Sequence, residues 1–116
     1  MEVKMIKDLK ANSDFNDIIE LSHEKPVFLL KHSTACPISA GVWGAFQRFA
    51  EKVEGVECRR VLIRENRELS GLITNRTGIK HQSPQMILFH KGQPVWNASH
   101  RGITEDSFKA ALEELE

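Results

Sequence analysis

Val27-Phe28-Leu29-Leu30 is a run of four large apolar residues between Pro26 and the polar stretch Lys31-His32-Ser33-Thr34. It is too short for a helix and shows no polar alternation, so it predicts a strand buried on both faces. Such a strand needs a layer packed on either side of it, which confines the chain to helix-covered sheets. At 116 residues the chain fits a single domain, residues 1–116, able to bury a core without disulfide staples.

The segments on either side supply those layers. Val3 and Ile6 predict a short opening strand, and Ser13 an N-cap for a helix carrying Phe15, Ile18 and Ile19 inward. His23-Glu24-Lys25-Pro26 breaks that helix. After the loop 33–36, Ile38, Val42, Phe46, Phe49, Ala50 and Val53 recur at helical spacing, with Pro37 in the first turn and Gly55 as the stop. Residues 56–63 predict a second buried strand. Asn66 opens a helix with Leu69, Leu72 and Ile73 inward, and Gly78 closes it. Met86-Ile87-Leu88-Phe89 is the next strand, and Lys91-Gly92 a turn into a returning strand through Val95 and Trp96. Pro94 places that strand at an edge or a bulge. Thr104 caps a last helix with Phe108, Ala111, Leu112 and Leu115 on one face, and Ile103 can staple to Phe108. The order β-α-β-α-β-α-β-β-α implies two right-handed crossovers between parallel strands and a late antiparallel hairpin. The expected architecture is therefore α/β: a mixed central sheet with helices on both faces.

Sixteen basic residues balance sixteen acidic ones, so nothing favours a nucleic acid or an anionic membrane as partner. No apolar run approaches the roughly 20 residues that span a bilayer, and residues 1–8 do not read as a secretion signal. With two cysteines in such a chain, a reducing cytoplasm is the expected compartment. The histidines at 23, 32, 81, 90 and 100 show neither i, i+4 pairing nor Cys-x-x-Cys company, so no metal site is expected.

The chemistry concentrates at Cys36, expected where a strand gives way to a helix. A thiol there faces unpaired backbone N–H groups and the positive end of the helix dipole, which favour the reactive thiolate. The bland alternative is a buried, inert cysteine. Three residues on, where a dithiol enzyme carries its second cysteine, stands Ser39. Its hydroxyl can hydrogen-bond a thiolate but cannot form a disulfide; the competing reading is an exposed helix serine. Cys58 is expected about 16 Å back along its strand from the active end, beyond the ~7 Å Cα separation of a disulfide. Cys36 therefore reads as a monothiol, needing a second molecule to resolve any mixed disulfide.

Thr34, Cys36-Pro37-Ile38-Ser39, His81-Gln82-Ser83-Pro84-Gln85 and Trp96-Asn97 through His100, in this order of elements, resemble the YtxJ-type monothiol bacilliredoxins of the thioredoxin-like superfamily. Ala35 separates Thr34 from Cys36, a departure from the family's Thr-Cys sequence. The resemblance spans essentially the whole chain. It implies a thioredoxin-like three-layer fold and a thiol-disulfide oxidoreductase that removes bacillithiol from protein mixed disulfides through Cys36. Thr34, Pro37, Ser39, Ser83, Pro84, Trp96 and His100 would then stabilise the thiolate or bind substrate, and His81 would lie nearby. Trp96 is as readily a packed edge-strand aromatic. Pro84 would be cis, against a base rate of about 5–6% of X–Pro bonds. Ser83 would pair its main chain with an extended substrate. No permanently bound cofactor is implied; bacillithiol is the co-substrate and S-thiolated proteins are the partners. Two other readings compete. One is an iron–sulfur carrier of the monothiol glutaredoxin kind, where a glycine follows the cysteine instead of Pro37. The other is a non-catalytic thioredoxin-fold binding module.

Overall fold

The structure, a computed structural model, describes residues 6–35 and 37–115. Val3 and Cys36, both assigned roles above, lie outside the described residues. The elements are β1 (Lys7–Leu9), α1 (Asn12–Leu21), β2 (Val27–His32), α2 (Pro37–Lys52), β3 (Glu57–Leu62), α3 (Arg67–Thr77), β4 (Gln85–His90), β5 (Gln93–Ser99) and α4 (Glu105–Glu113). A 3-10 turn, His100–Gly102, joins the last two. The five strands lie in the order β1-β3-β2-β4-β5. β3 is parallel to both β1 and β2, while β4 is antiparallel to β2 and β5 to β4.

All six residues of β2 are buried, because the strand is central and its side chains alternate between two cores. On one face Phe28 and Leu30 join Val42, Phe46 and Phe49 of α2 and Phe108 of α4. On the other, Val27 and Leu29 pack with Phe15 and Ile18 of α1 and Leu69 and Ile73 of α3. Phe108 is the hub of the first core, with rings of Phe28, Phe46, Phe49 and Trp96 at centroid distances of 5.1 to 6.5 Å. Ile103 is buried in the same cluster, consistent with a staple across the Thr104 cap. There Ser107 N–H donates to Thr104 Oγ1 at 3.0 Å, and Thr104 N–H to Ser107 Oγ at 2.9 Å.

Four local expectations give way. The first strand begins at Lys7, one residue past Ile6. α1 is not capped by Ser13, which lies inside the helix. The Asp14 carboxylate accepts from Lys10 N–H and Ala11 N–H at 2.8 and 3.0 Å, so an acidic side chain caps one turn earlier. Gly55 does not close α2: the helix ends at Lys52, and Gly55, at φ +72°, turns the chain into β3. Ile38 does not belong to the inward stripe of α2. It is 39% exposed, and the buried face begins instead at Ser39. The Lys91-Gly92 turn is as expected, both residues at positive φ. Pro94 lies on an edge strand and beside a bulge, since Leu88 pairs with Trp96 and Phe89 with Pro94, leaving Val95 of β5 as the extra residue.

Phe108→Ala should cost about 3–5 kcal/mol of folding free energy, the range for deleting a buried phenylalanine. Urea denaturation checks it; a loss under 1 kcal/mol would mean that α4 is not part of the core.

Candidate functional site

β2 and β4 run antiparallel with Lys31 opposite Gln85 as the last pair. The segment leaving the C-terminal end of β2 and the segment entering β4 therefore emerge side by side. The first is the turn Ser33-Thr34-Ala35, which leads through Cys36 to Pro37, the first residue of α2. The second is the loop 78–84, ending in a cis Ser83–Pro84 peptide bond. His100 N–H donates to Pro84 O at 3.0 Å, which ties the loop to the end of β5. Pairing alone thus gathers Thr34, Pro37, Ser39, Ser83, Pro84 and His100 at one end of the sheet.

Within this group, Thr34, Ala35, Pro37 and Ile38 are exposed. Ser39 is fully buried, correcting the alternative of a solvent-facing helix serine. Its hydroxyl and that of Ser83 are buried without a hydrogen-bond partner among the described residues. A buried polar group left unpaired costs about 1–3 kcal/mol, so both hydroxyls call for a partner beyond the described residues.

Trp96 does not join them. It pairs in register with Leu88, three residues from the Gln85–Ser99 end and so about 10 Å down the sheet. There it stands edge-on to Phe28 and Phe108 as a partly buried aromatic packed against the core. Cys58 is buried opposite Phe28, four positions and about 13 Å below the His32–Leu62 end of its ladder. That depth is too great for a direct bridge to the β2–α2 turn.

Two residues that the sequence reading gave no role are buried at this end. His32 is 4% exposed, its Nδ1 unpaired among the described residues, and its ring stands edge-on to Trp43 at 5.7 Å. The Arg60 guanidinium covers the other ring of that stack, 4.1 Å from the Trp43 centroid. It also holds Asp8 through two 2.8 Å hydrogen bonds. Burial first, and then the Arg60 charge, push the His32 imidazole below its ordinary value, so it is neutral at pH 7.

On the opposite face, Lys31 is fully buried. Its ammonium donates to Gln85 Oε1 at 3.1 Å, and Gln85 Nε2–H donates to Lys80 O at 3.0 Å. Burial lowers the Lys31 amine from 10.5 to about 8. The same charge helps, after burial, to lower His81, so the lysine head faces the loop 78–84. The only signal in the sequence was that β2 continues two polar residues beyond its apolar run. Among the described residues, no group of three or more His, Cys, Asp or Glu side chains is placed to hold a metal ion. No helix among them is long and apolar enough to cross a membrane.

A four-helix, five-strand mixed sheet with a helix starting beside a cis-proline corner is the thioredoxin fold. The solved thioredoxin from Trypanosoma brucei brucei superposes with a TM-score of 0.79 at 14% identity, over 98% of this chain and 93% of that one. The Malassezia sympodialis thioredoxin gives 0.77 at 15%, over 98% and 94%. A thioredoxin-fold protein provisionally described as an oxidoreductase is nearer, with a TM-score of 0.83 and 36% identity over 92% of each chain. The family model for the monothiol bacilliredoxin BrxC matches residues 7–108. The chain belongs to that family, and its chemistry is thiol redox exchange.

Two predictions follow from the buried groups. Arg60→Gln removes a positive charge next to His32, so the imidazole should titrate higher than in the wild type. NMR titration reads this, and a fall would contradict the electrostatic assignment. Lys31 has its pKa depressed in the fold, so between pH 8 and 10.5 the unfolded chain binds more protons there than the native one. Stability should therefore rise with pH across that window relative to Lys31→Met. Urea titrations at pH 7.5 and pH 10 test it, and a wild type that loses stability relative to Lys31→Met between these two pH values would refute it.

Proposed function

We propose that this chain removes bacillithiol from protein mixed disulfides, with Cys36 as nucleophile. The observation that carries this is the junction where the segment leaving β2 and the segment entering β4 lie side by side, with the Ser39 and Ser83 hydroxyls buried there and unpaired among the described residues. Cys36 directly precedes the first residue of α2 in sequence, and a cysteine at such a terminus is activated as thiolate. Family membership supports the low-molecular-weight thiol as the guest that Cys36 takes up.

The thiolate of Cys36 attacks the bacillithiol sulfur of the mixed disulfide. The protein–bacillithiol S–S bond breaks, the protein leaves as thiolate, and a Cys36–bacillithiol disulfide forms. Ser39 stands at the position of the second cysteine of a dithiol enzyme and cannot displace that guest. A second thiol, such as free bacillithiol, attacks it, restoring the Cys36 thiolate and yielding bacillithiol disulfide. No net oxidation state is left on the enzyme. Ser83, with Pro84 behind it, offers its main chain to the extended substrate. Thr34 and Pro37, both exposed, flank the approach, and His100 holds Pro84 from the β5 side. A cytoplasmic setting fits this chemistry, since it requires a reduced resting thiol.

Incubation with an S-bacillithiolated protein should add one bacillithiol mass to Cys36, located by peptide mass spectrometry. An adduct confined to Cys58, or none, would refute the proposal. Ser39→Cys restores Cys-x-x-Cys spacing and should convert the stable adduct into a transient one, with an internal disulfide as product. A Ser39→Cys protein that keeps the adduct as long as the wild type would show that position 39 does not face the thiol.

A further inference from the structure

Lysine is almost never fully buried without a charged partner. The buried Lys31 contacts a neutral amide, Gln85, across the final rung of the β2–β4 ladder. That amide is used at both ends. Its oxygen accepts from the ammonium, and its nitrogen donates to the main-chain carbonyl of Lys80, five residues upstream. The hydrogen bond to Lys80 closes the loop that carries His81, Gln82, Ser83 and Pro84 into a ring. An amide has an indistinguishable shape in its two flips; the ammonium, with donors only, admits only one of them, the one that turns Nε2–H toward Lys80.

We propose that Lys31 and Gln85 are positioning residues for substrate binding: the buried ammonium orients the Gln85 amide, which clasps the loop 80–84 so that the Ser83 main chain stands beside the β2–α2 turn. This rests on the proposed role of Ser83 in pairing with an extended substrate. The clasp works from the α1/α3 face of the sheet, while α2 lies on the other face, so it acts on the loop and not on the thiol side of the sheet. With His100 N–H holding Pro84 O from the β5 side, the loop is fixed from two directions. Charge on Lys31 alone would serve no such purpose; the geometry of the amide does.

The test uses two variants of the full chain. Lys31→Met/Gln85→Met removes both polar partners together, which leaves no buried charge or amide unpaired and favours folding. Gln85→Glu keeps a partner for Lys31 but replaces the donor to Lys80 O with an oxygen. For each, backbone hydrogen exchange at residues 80–83 and steady-state removal of bacillithiol from an S-bacillithiolated protein are measured against the wild type. Exchange should be at least tenfold faster in both, and KM should rise at least tenfold with less than a threefold change in kcat. Exchange at the wild-type rate would overturn the clasp. Fast exchange with KM within twofold of the wild type would overturn its role in binding. A wild-type protein inert toward the S-bacillithiolated substrate would instead overturn the functional reading, with the exchange result still deciding the clasp.

Discussion

The rest of the structure depends on β2 being hydrogen-bonded on both sides, parallel to β3 and antiparallel to β4. The parallel side forces a helical crossover after β2, and that helix must start where the strand ends. The antiparallel side brings the beginning of β4 to the same place. One pairing arrangement therefore sets a helix start next to the Ser83–Pro84 corner, with no need for the two segments to recognise each other directly. The wholly buried character of β2 secures the arrangement, since a one-residue slip would exchange its two cores.

Around that junction the protein retains polar groups that cost stability. Lys31, His32 and Ser39 are all buried where apolar residues would be cheaper. Each does something an apolar residue cannot. His32 is kept neutral by burial and by Arg60 and stands as an uncharged ring edge-on to Trp43. The Lys31 ammonium donates to the Gln85 amide, and the Ser39 hydroxyl lies buried in the first turn of α2. Functional sites are where local rules of burial are expected to fail.

Much of this was legible in the sequence. The element order, the αL glycine at 78 and the Thr104 cap follow from short-range patterns that tertiary context does not overturn. The Ser83–Pro84 corner, and Ser39 at the third position after Cys36, follow from the family resemblance together with spacing. What was not legible depended on contacts between distant segments. Ile38 and Ser39 are adjacent, and either fits an apolar stripe by period; only the packing of α2 decides that the serine goes inward. Trp96 sits near motif residues in sequence, but strand register carries it down the sheet to Phe28 and Phe108. Lys31 reads as the first polar residue after a strand, and nothing local signals that Gln85, 54 residues away, will receive it.

We propose one reactive thiol, Cys36, which lies between β2 and α2 in sequence, and one sequestered thiol, the buried Cys58. The rate of alkylation of each cysteine as a function of pH, followed by peptide mass spectrometry in the folded protein, tests it most directly. Cys36 should react with a midpoint well below the ~8.5 of an unperturbed thiol, and Cys58 should stay unmodified throughout. A Cys36 midpoint at or above that value, or Cys58 reacting first, would contradict the account.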